Sequence, residues 1–467
     1  MPRQVQRVLV IGLDCATPRF LFGREAFDVP NLQGLAEAGA WTTLRSCDPP
    51  ITVPAWACMT TGCDPGTLGC YGFRNRADHS YAPLQMADAT TIREPRVWDL
   101  LGEAGLTSVC VGIPQTYPPA PLNGHLVSGI LTPADSKAFT YPKSLSAELE
   151  AAVGPAQFDI ADYRTDNKDA LLGRLHAFLN NRFDVTEYLI QSKPWDFFMM
   201  VDMGVDRLHH AFWKHCDPNH PKFEAGNPFE TAFADYYSAL DDRIGALLRH
   251  VPDDTAVMVV SDHGARALEG GLCINQWLID EGYLTVKDDL RETKRLEDCT
   301  IDWDRTTAWA TGGYVSRVYL NVAGREPNGI IPADEVDSFR DTLSTRLETL
   351  EGPDGHALDN VVRLPEQTYN ECNGTPPDLL VYCGGLRLRA IGTVGYDSIF
   401  ASENDTGPDD ANHDFDGIFA VSGNVAAPNV PMDSMSILDV APTILDLLGV
   451  AIPETMHGTS LVAIVAA

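Results

Sequence analysis

Short apolar runs alternate with longer amphipathic segments along most of the chain. The first run, 8–13, is wholly apolar and rich in β-branched residues, which is typical of a strand covered on both faces in a parallel sheet. Further strands are predicted at 107–112, 197–202, 256–262, 317–322, 379–383 and 418–422. Helices are predicted at 31–40, 168–192, 228–250, 275–281, 333–350 and 436–448. This alternation predicts an α/β fold with an open, mainly parallel central sheet and helices on both faces.

One stretch interrupts the alternation. Residues from about 265 to 311 follow a predicted strand end, contain one helix-like segment and then carry a charged run at 287–292. We interpret this stretch as a small cap or insertion within a single domain that spans residues 1–467.

Carboxylates and imidazoles lie at or near several predicted strand ends. The six residues are Asp14, Asp206, His210, Asp262, His263 and His413. Because ligands of open α/β sheets bind at the carboxyl ends of the strands, we expect these side chains to converge. Three aspartates and three histidines offer enough oxygen and nitrogen ligands for two divalent metal ions.

The local spacing of these residues supports a metal site. Asp206 and His210 are four residues apart, so both lie on one face of a helix and can bind one ion, while His209 points elsewhere as a core or supporting residue. Asp262 and His263 are adjacent and converge only where the strand ends and the chain turns. Gly264 is expected to permit that turn.

A candidate nucleophile comes from the segment Asp48-Pro49-Pro50-Ile51-Thr52-Val53-Pro54-Ala55-Trp56. Pro54 is well placed in the first turn of a helix predicted at 54–61, which puts Thr52 at or near the N-cap. A hydroxyl at a helix N-terminus beside a divalent ion can lose its proton and attack phosphorus. The free amides there are suited to phosphate oxygens.

Composition narrows the possible partners and the cellular compartment. With 34 Lys and Arg against 65 Asp and Glu, the formal net charge is -31. This charge argues against nucleic-acid polymers and anionic membranes as partners. No apolar window is long enough for a membrane span. The 11 cysteines form no CxxC pair and the N-terminus lacks a secretory pattern, so we expect a cytoplasmic protein with free, mostly buried thiols.

Several motifs together resemble one protein family. They are Ile11-Gly12-Leu13-Asp14, the Pro49 to Trp56 segment with Thr61-Gly62-Cys63-Asp64-Pro65-Gly66, Asp206 to His210 with Phe212-Trp213, Ser261-Asp262-His263-Gly264, His413 with Asp416-Gly417-Ile418, and Asp439 to Leu445 with Met456-His457-Gly458. In order and spacing they resemble the alkaline phosphatase superfamily, in its type I phosphodiesterase/nucleotide pyrophosphatase branch. The resemblance covers nearly the whole chain and implies an alkaline-phosphatase-like fold.

The resemblance also implies a division of roles. One metal site takes Asp14, Asp262, His263 and the oxygen of Thr52, and the other takes Asp206, His210 and His413. Thr52 attacks phosphorus and is transiently phosphorylated, so the expected reaction is hydrolysis of a phosphodiester or nucleotide pyrophosphate bond. The expected cofactors are two divalent ions, with Zn²⁺ favoured over Mn²⁺, and the expected partner is a small phosphate ester.

Other readings of the same motifs remain open. A phosphomonoesterase or phosphonate hydrolase would use the same site, and a non-catalytic binding protein would keep only the fold. A sulfatase is disfavoured because Thr52 carries a β-methyl group and Trp56 replaces the family's arginine. A phosphoglycerate mutase is disfavoured because such enzymes use serine.

Substrate contacts are less well specified by the sequence. Arg74, Asn75 and Arg76 follow the nucleophile segment and are the candidates for substrate binding. Relatives often have His-Gly where this chain has Leu68-Gly69. His457 is a rival to His413 as a metal ligand, but we prefer His413 because an Asp-Gly pair and an apolar strand follow it.

Overall fold

The computed structural model describes residues 3–423 and 435–461. In chain order its strands are β1 (Arg7–Leu13), β2 (Ala40–Arg45), β3 (Arg74–Asn75), β4 (Gln85–Met86), β5 (Ser108–Val111), β6 (Gly124–Val127), β7 (Thr140–Tyr141), β8 (Phe197–Asp202), β9 (Thr255–Val260), β10 (Gly264–Ala267), β11 (Gly270–Cys273), β12 (Ala308–Thr311), β13 (Ser316–Leu320), β14 (Val361–Arg363), β15 (Leu379–Tyr382), β16 (Leu388–Ile391), β17 (Phe400–Ala401), β18 (Ala411–Asp414), β19 (Asp416–Ser422) and β20 (Met435–Ser436). The α-helices are α1 (Pro18–Leu21), α2 (Pro30–Ala38), α3 (Thr52–Thr61), α4 (Pro65–Leu68), α5 (Val97–Glu103), α6 (Leu145–Val153), α7 (Lys168–Ser192), α8 (Gly204–Cys216), α9 (Ala232–Leu248), α10 (Ile274–Asp280), α11 (Val336–Glu348), α12 (Pro365–Thr368) and α13 (Val440–Leu447).

The main sheet runs through the centre of the larger part of the molecule. Among the described residues its order is β20-β2-β19-β9-β1-β8-β5-β6-β7. The central strands β9, β1, β8, β5 and β6 are parallel, whereas β19 is antiparallel to both β9 and β2. Every residue of β1 from Val8 onward is buried, as expected of a strand covered on both faces. The predicted α/β fold with a mainly parallel sheet is confirmed.

Two groups of helices pack with this sheet. Helices α7, α8 and α9 contact one another and α2 contacts α9, whereas α3 packs with α4 and α13. The longest, α7, has 25 residues and begins where the side chain of Asn167 accepts a hydrogen bond from the amide of Ala170. None of the described helices combines the length and the apolar character that a membrane crossing needs.

A smaller unit follows β10 and has a core of its own. It contains the antiparallel sheet β12-β13-β15-β14 and the sheet β16-β11-β17, with α10 and α11 packed nearby. Its core includes Leu272, Trp277, Val318, Leu343 and Val381. The segment expected as an insertion, 265–311, therefore supplies only the first part of this unit. Strand β13 pairs with β15 across some sixty residues, and no local pattern marks such a pairing.

Several boundaries differ from those that the sequence predicts. The helix predicted at 54–61 begins two residues earlier, so Thr52 is its first helical residue, and the N-cap is Ile51 in extended conformation with φ -123° and ψ 133°. The predicted helices at 333–350 and 436–448 begin with 3₁₀ turns at Ala333–Glu335 and Ile437–Asp439. Helix ends commonly tighten in this way. Strand 197–202 and helix 168–192 have the predicted bounds.

Candidate metal centre and nucleophile

Three parallel strands deliver three aspartates to one edge of the main sheet. Strand β1 lies between β8 and β9, with Leu13 beside Asp202 and Gly12 beside Val260. Asp14 follows β1, Asp206 lies in the first turn of α8 after β8, and Asp262 follows β9. Since all three strands end at the same edge, their carboxylates lie close together, as the strand order requires.

Asp206, His210 and His413 form the first half of the centre. The Nε2 atom of His210 lies 3.2 Å from Oδ1 of Asp206 and 3.3 Å from Nε2 of His413. The remaining distance, from Nε2 of His413 to Oδ1 of Asp206, is 3.8 Å. Asp206 and His210 share one face of α8, as their spacing predicts, and His413 arrives on β18, opposite Ala265 of β10.

Asp14, Asp262 and His263 form the second half. The Nε2 atom of His263 lies 3.2 Å from Oδ2 of Asp262 and 3.8 Å from Oδ1 of Asp14, and these ligand atoms are all within 4.8 Å of one another. The rings of His263 and His413 stack with centroids 3.8 Å apart, which joins the two halves. Gly264 does not adopt a positive φ. It is required sterically, because a β-carbon there would lie 2.1 Å from the carbonyl oxygen of Asp416.

The six side chains fit divalent metal ions. Tetrahedral sites with ligand bonds of about 2.0–2.1 Å place the ligand atoms about 3.4 Å apart, close to the separations found here. Oδ1 of Asp14, Oδ1 of Asp206 and Oδ2 of Asp262 are buried and have no hydrogen-bond partner among the described residues. Buried carboxylate oxygens are costly unless a proton donor or a cation satisfies them.

The pKa shifts of the clustered side chains also favour a bound cation. Burial, together with neighbouring carboxylates, raises the pKa of Asp14 and of Asp262 well above its usual value. Burial lowers the pKa of His263 to about 4 and that of His413 well below its usual range, so both rings are neutral and available as ligands. Burial would raise the pKa of Asp206, but His210 and Arg207 together hold it well below normal.

Hydrogen bonds behind each imidazole fix its orientation. The Nδ1 atom of His263 donates to the carbonyl of Gly264 at 3.0 Å, and that of His413 donates to the carbonyl of Pro50 at 2.7 Å. These bonds turn Nε2 of each ring toward the centre, the arrangement that supporting partners of metal-binding histidines produce.

Asp409 has this supporting role for His210. Its Oδ1 atom lies 2.7 Å from Nδ1 of His210, and its Oδ2 atom accepts hydrogen bonds from Arg164 and Tyr314. Burial would lower the pKa of His210, but Asp409 and Asp206 raise it to about 9. Asp409 has no local sequence signal, because its role depends on a contact across almost 200 residues.

A second residue that the sequence analysis did not assign to the site is Trp56. Its Nε1 atom donates to Oδ2 of Asp14 at 2.7 Å, which leaves Oδ1 facing the centre. Gly12 makes room for the indole ring, since a β-carbon at residue 12 would lie 2.5 Å from Cη2 of Trp56. Close packing and a hydrogen bond therefore join residues 12–14 to residues 52–56.

Thr52 lies beside the second half of the centre. Its hydroxyl oxygen is 3.4 Å from Nε2 of His263, and its side chain is buried at the start of α3. The first helical hydrogen bond runs from the amide of Ala55 to the carbonyl of Ile51. The amides of Thr52 and Val53 precede it, so they have no partner within the helix and suit an anion.

The other sequence candidates have partners elsewhere. Asn75 accepts a hydrogen bond from the amide of Tyr71 and donates to the carbonyl of Gly72, and Arg76 is buried against Glu326 at 3.2 Å. The side chain of Arg74 is exposed. Substrate binding by these three residues stays a prediction, and for Asn75 and Arg76 the contacts found are structural.

Two histidines lie away from the six-residue cluster. The Nδ1 atom of His457 lies 3.3 Å from Oδ2 of Asp64, whereas the rival ligand His413 lies within the cluster. His209 is buried with its Nε2 atom 3.0 Å from the hydroxyl of Tyr237, on the side of α8 that packs against α9.

Comparison with known proteins matches the chain to a protein family. The model of the type I phosphodiesterase / nucleotide pyrophosphatase family matches residues 8–394, a range that contains Thr52 and every proposed ligand except His413. No curated protein sequence matches the chain significantly.

Several solved structures share the fold at low sequence identity. Human ectonucleotide pyrophosphatase/phosphodiesterase 5 aligns with a TM-score of 0.57 at 14% identity, covering 97% of each chain. An inactive variant of the murine protein in complex with AMP aligns with a TM-score of 0.55 at 12% identity over 96% of each chain. Phosphonoacetate hydrolase from Sinorhizobium meliloti 1021, in complex with phosphonoformate, gives a TM-score of 0.55 at 16% identity over 96% of each chain.

Proposed function

The chain belongs to the type I phosphodiesterase / nucleotide pyrophosphatase family, and we propose that it is a metal-dependent hydrolase of phosphodiester or nucleotide pyrophosphate bonds. In this proposal Thr52 is the nucleophile. Asp14, Asp262 and His263 hold one divalent ion, and Asp206, His210 and His413 hold another. Zn²⁺ and Mn²⁺ are the candidates, because mixed aspartate and histidine sites accept both.

The observation that carries the proposal is the position of the Thr52 hydroxyl. It lies 3.4 Å from a histidine nitrogen that is itself part of a buried cluster with unsatisfied carboxylate oxygens. A lone threonine at a helix start is usually structural, but this one adjoins a group of six side chains suited to cations. Few buried arrangements other than a metal centre satisfy three such carboxylates at once.

The proposed reaction has two steps, and the second regenerates the chain. In the first, Oγ1 of Thr52 forms a bond to phosphorus, its proton passes to the solvent, and the leaving oxygen departs and is protonated by water. In the second, water attacks the phosphorus of the phosphothreonine, which still carries the second ester group of the substrate; the bond to Oγ1 breaks, a phosphate monoester is released and the hydroxyl is restored. When bound, two divalent ions supply positive charge to the attacking and leaving oxygens of this displacement.

The residues of the chain position the substrate for these steps. The free amides of Thr52 and Val53 at the start of α3 are placed to hold a phosphoryl oxygen. The backbone partners of His263 and His413 keep both rings fixed, so the nucleophile and the ligand set keep one geometry during the reaction.

The substrate class can be tested with model esters. We expect hydrolysis of bis-p-nitrophenyl phosphate to exceed that of p-nitrophenyl phosphate, to stop with a chelator and to return with Zn²⁺ or Mn²⁺. Faster monoester hydrolysis would indicate a phosphomonoesterase. Phosphate release from phosphonoacetate alone would indicate a phosphonate hydrolase. If no ester or phosphonate is cleaved by metal-loaded enzyme, the catalytic proposal fails.

The nucleophile can be tested by substitution. Thr52→Ala should abolish turnover and leave bound metal nearly unchanged, and acid quenching of the wild type during turnover of bis-p-nitrophenyl phosphate should trap a p-nitrophenyl phosphoryl group on the peptide containing Thr52. Thr60→Ala is the matched control, because Thr60 is buried in the same helix with its hydroxyl bonded to the carbonyl of Trp56. Activity retained in Thr52→Ala would refute the covalent route.

The ligand assignment has its own test. Asp206→Ala removes a carboxylate from the first half of the centre, so we expect the bound divalent ions, measured by elemental analysis, to fall by about one per chain. An unchanged metal content would remove Asp206 from the site.

A further inference from the structure

A small cavity lies beside Asp409, the carboxylate that contacts Nδ1 of His210. Its walls include residues 402–404, the start of β11 and Arg389 of β16, the strand that pairs with β11. Its volume is about 10 Å³, which is room for one particle of the size of a water molecule. Since Nε2 of His210 faces the proposed ions and Nδ1 faces Asp409, the cavity is separate from the phosphoryl position beside Thr52.

Arg389 reaches this cavity as a buried cation without a hydrogen-bond partner. Its side chain is 9% exposed, and its Nε and Nη1 atoms form no hydrogen bond with any described residue. Oδ2 of Asp409 lies 3.6 Å from Nη1 but already accepts hydrogen bonds from Arg164 and Tyr314. Because a guanidinium group does not lose its proton in proteins, Arg389 cannot avoid the cost of burial by becoming neutral.

The carboxylates that line the cavity do not compensate Arg389, because each has a cation of its own. The pairs are Asp409 with Arg164 at 3.0 Å, Asp410 with Lys214 at 3.3 Å and Glu403 with Lys222 at 2.8 Å. Oδ2 of Asp410 has no hydrogen-bond partner within the described ranges, but this carboxylate also interacts with the buried ammonium group of Lys168. Burial lowers the pKa of Lys168, and Asp410 partly opposes that shift. Positive charge is therefore in excess at the cavity, although the whole chain carries a net charge of -31.

The charge and the size of the cavity together define its ligand. A water molecule would accept a hydrogen bond from Arg389 but would leave the buried charge uncompensated. Sulfate and phosphate carry four oxygen atoms and exceed the volume, whereas a chloride ion is only slightly larger than water. We propose that the cavity binds one small monovalent anion of the chloride type, with Arg389 as its main ligand. This inference goes beyond the proposed function and does not require the metal centre.

The anion would act on the proposed centre through Asp409. When the anion compensates Arg389, Asp409 keeps more of its negative charge for the hydrogen bond with His210. A more negative partner behind the ring makes His210 a stronger metal ligand. The anion and the ion held with His210 should therefore strengthen each other's binding, by the same factor in both directions.

The first test uses bromide as the probe, in crystals of the full-length protein. We expect anomalous scattering to show one bromide ion within hydrogen-bond distance of Nε or Nη1 of Arg389, with or without a chelator. Water at this position, or bromide at surface positions only, would overturn the proposal. Sulfate bound there in preference to bromide would also overturn it, because the size argument would be wrong.

A melting experiment tests the same site in solution. Chloride added at constant ionic strength, with gluconate as the balancing anion, should raise the Tm of the wild type and then saturate. Arg389→Met should lose this rise. Arg387→Met is the matched control and should keep it, because the Arg387 guanidinium already donates to the carbonyls of Gly384 and Leu358 and to Asp359. A rise that survives in Arg389→Met would refute the assignment.

Arg389→Lys keeps the experiment decisive if the methionine variant does not fold. Lysine retains the charge but loses the planar pair of donors, so the half-saturating chloride concentration should increase about tenfold or more. An unchanged concentration would contradict the role of Arg389. Failure of the proposed function gives a different result, because a protein that binds no divalent ion would still show bromide at Arg389.

Discussion

Replacing Trp56 by phenylalanine removes one hydrogen bond from the proposed metal centre and keeps most of the ring packing. The indole donates to Oδ2 of Asp14 at 2.7 Å, and this bond lowers the pKa of a carboxyl group that burial and Asp262 raise. Without the bond, the protonated form of Asp14 is favoured. A metal ion at the site formed by Asp14, Asp262 and His263 must then displace that proton.

The size of the effect follows from two independent estimates. A hydrogen bond to a charged group contributes about 1.5–3 kcal/mol. Loss of a partner behind a metal ligand typically costs about 10–100-fold in metal affinity. A tenfold change in affinity corresponds to about 1.4 kcal/mol, so the two ranges overlap at about 2 kcal/mol. The ion should therefore bind roughly thirtyfold more weakly. Calorimetric titration of the metal-free protein with Zn²⁺ should therefore show one of two sites weakened by that factor.

Trp213→Phe is the matched control for this experiment. Trp213 also donates its indole N–H to a buried carboxylate, Asp217, at 3.0 Å, but Asp217 pairs with Arg19 and lies outside the centre. Both variants lose the same kind of bond, and only Trp56→Phe should alter metal affinity. Equal affinities in wild type and Trp56→Phe would refute the role assigned to the indole.

Three further perturbations test other parts of the structure. Asp409→Asn should lower the affinity for the ion held with His210 by about 10–100-fold in the same titration, because the charged acceptor behind the ring is lost. The affinity for the other ion should not change, and an equal loss of affinity at both sites would contradict this. Saturating Zn²⁺ at a hundred times its Kd should stabilise the protein by about 2.7 kcal/mol, seen as a higher Tm that a chelator reverses; a Tm indifferent to metal would argue against a native centre. Arg76→Met should lower the free energy of unfolding by about 1.5–3 kcal/mol in urea titrations, because the buried Glu326 loses one charged hydrogen-bond partner and keeps Arg325 at 2.9 Å; a raised KM at unchanged stability would instead favour substrate binding.

Much of the fold could be predicted because its signals are local. The apolar run at β1 and the spacing of Asp206 and His210 are properties of a few consecutive residues, and periodicity reveals both. The observed start of α3 differs from the predicted one by only two residues, the usual uncertainty at helix ends. The edge at which Asp14 and Asp262 meet follows from the parallel strand order alone.

The supporting contacts could not be predicted, because each joins distant segments. From the sequence Trp56 looks like a core residue, because only the structure shows that Gly12 leaves space for its ring. Nothing in the sequence distinguishes Asp409 from the many other aspartates of the chain. The extent of the smaller unit also has no local sequence signal, since its core joins Leu272 to Val381 over more than a hundred residues.

The net charge of the chain affects how the proposed centre can bind an anionic substrate. A net charge of -31 repels an anionic phosphate ester, and at about 0.1 M salt that repulsion is screened beyond roughly 10 Å. Within that distance the substrate meets the carboxylates of Asp14, Asp206 and Asp262, which alone would exclude it. Two divalent ions would carry four positive charges against these three negative ones, and Arg207 adds another at 2.5 Å from Asp206. On the proposed function, metal binding and substrate binding are therefore linked through the same three carboxylates.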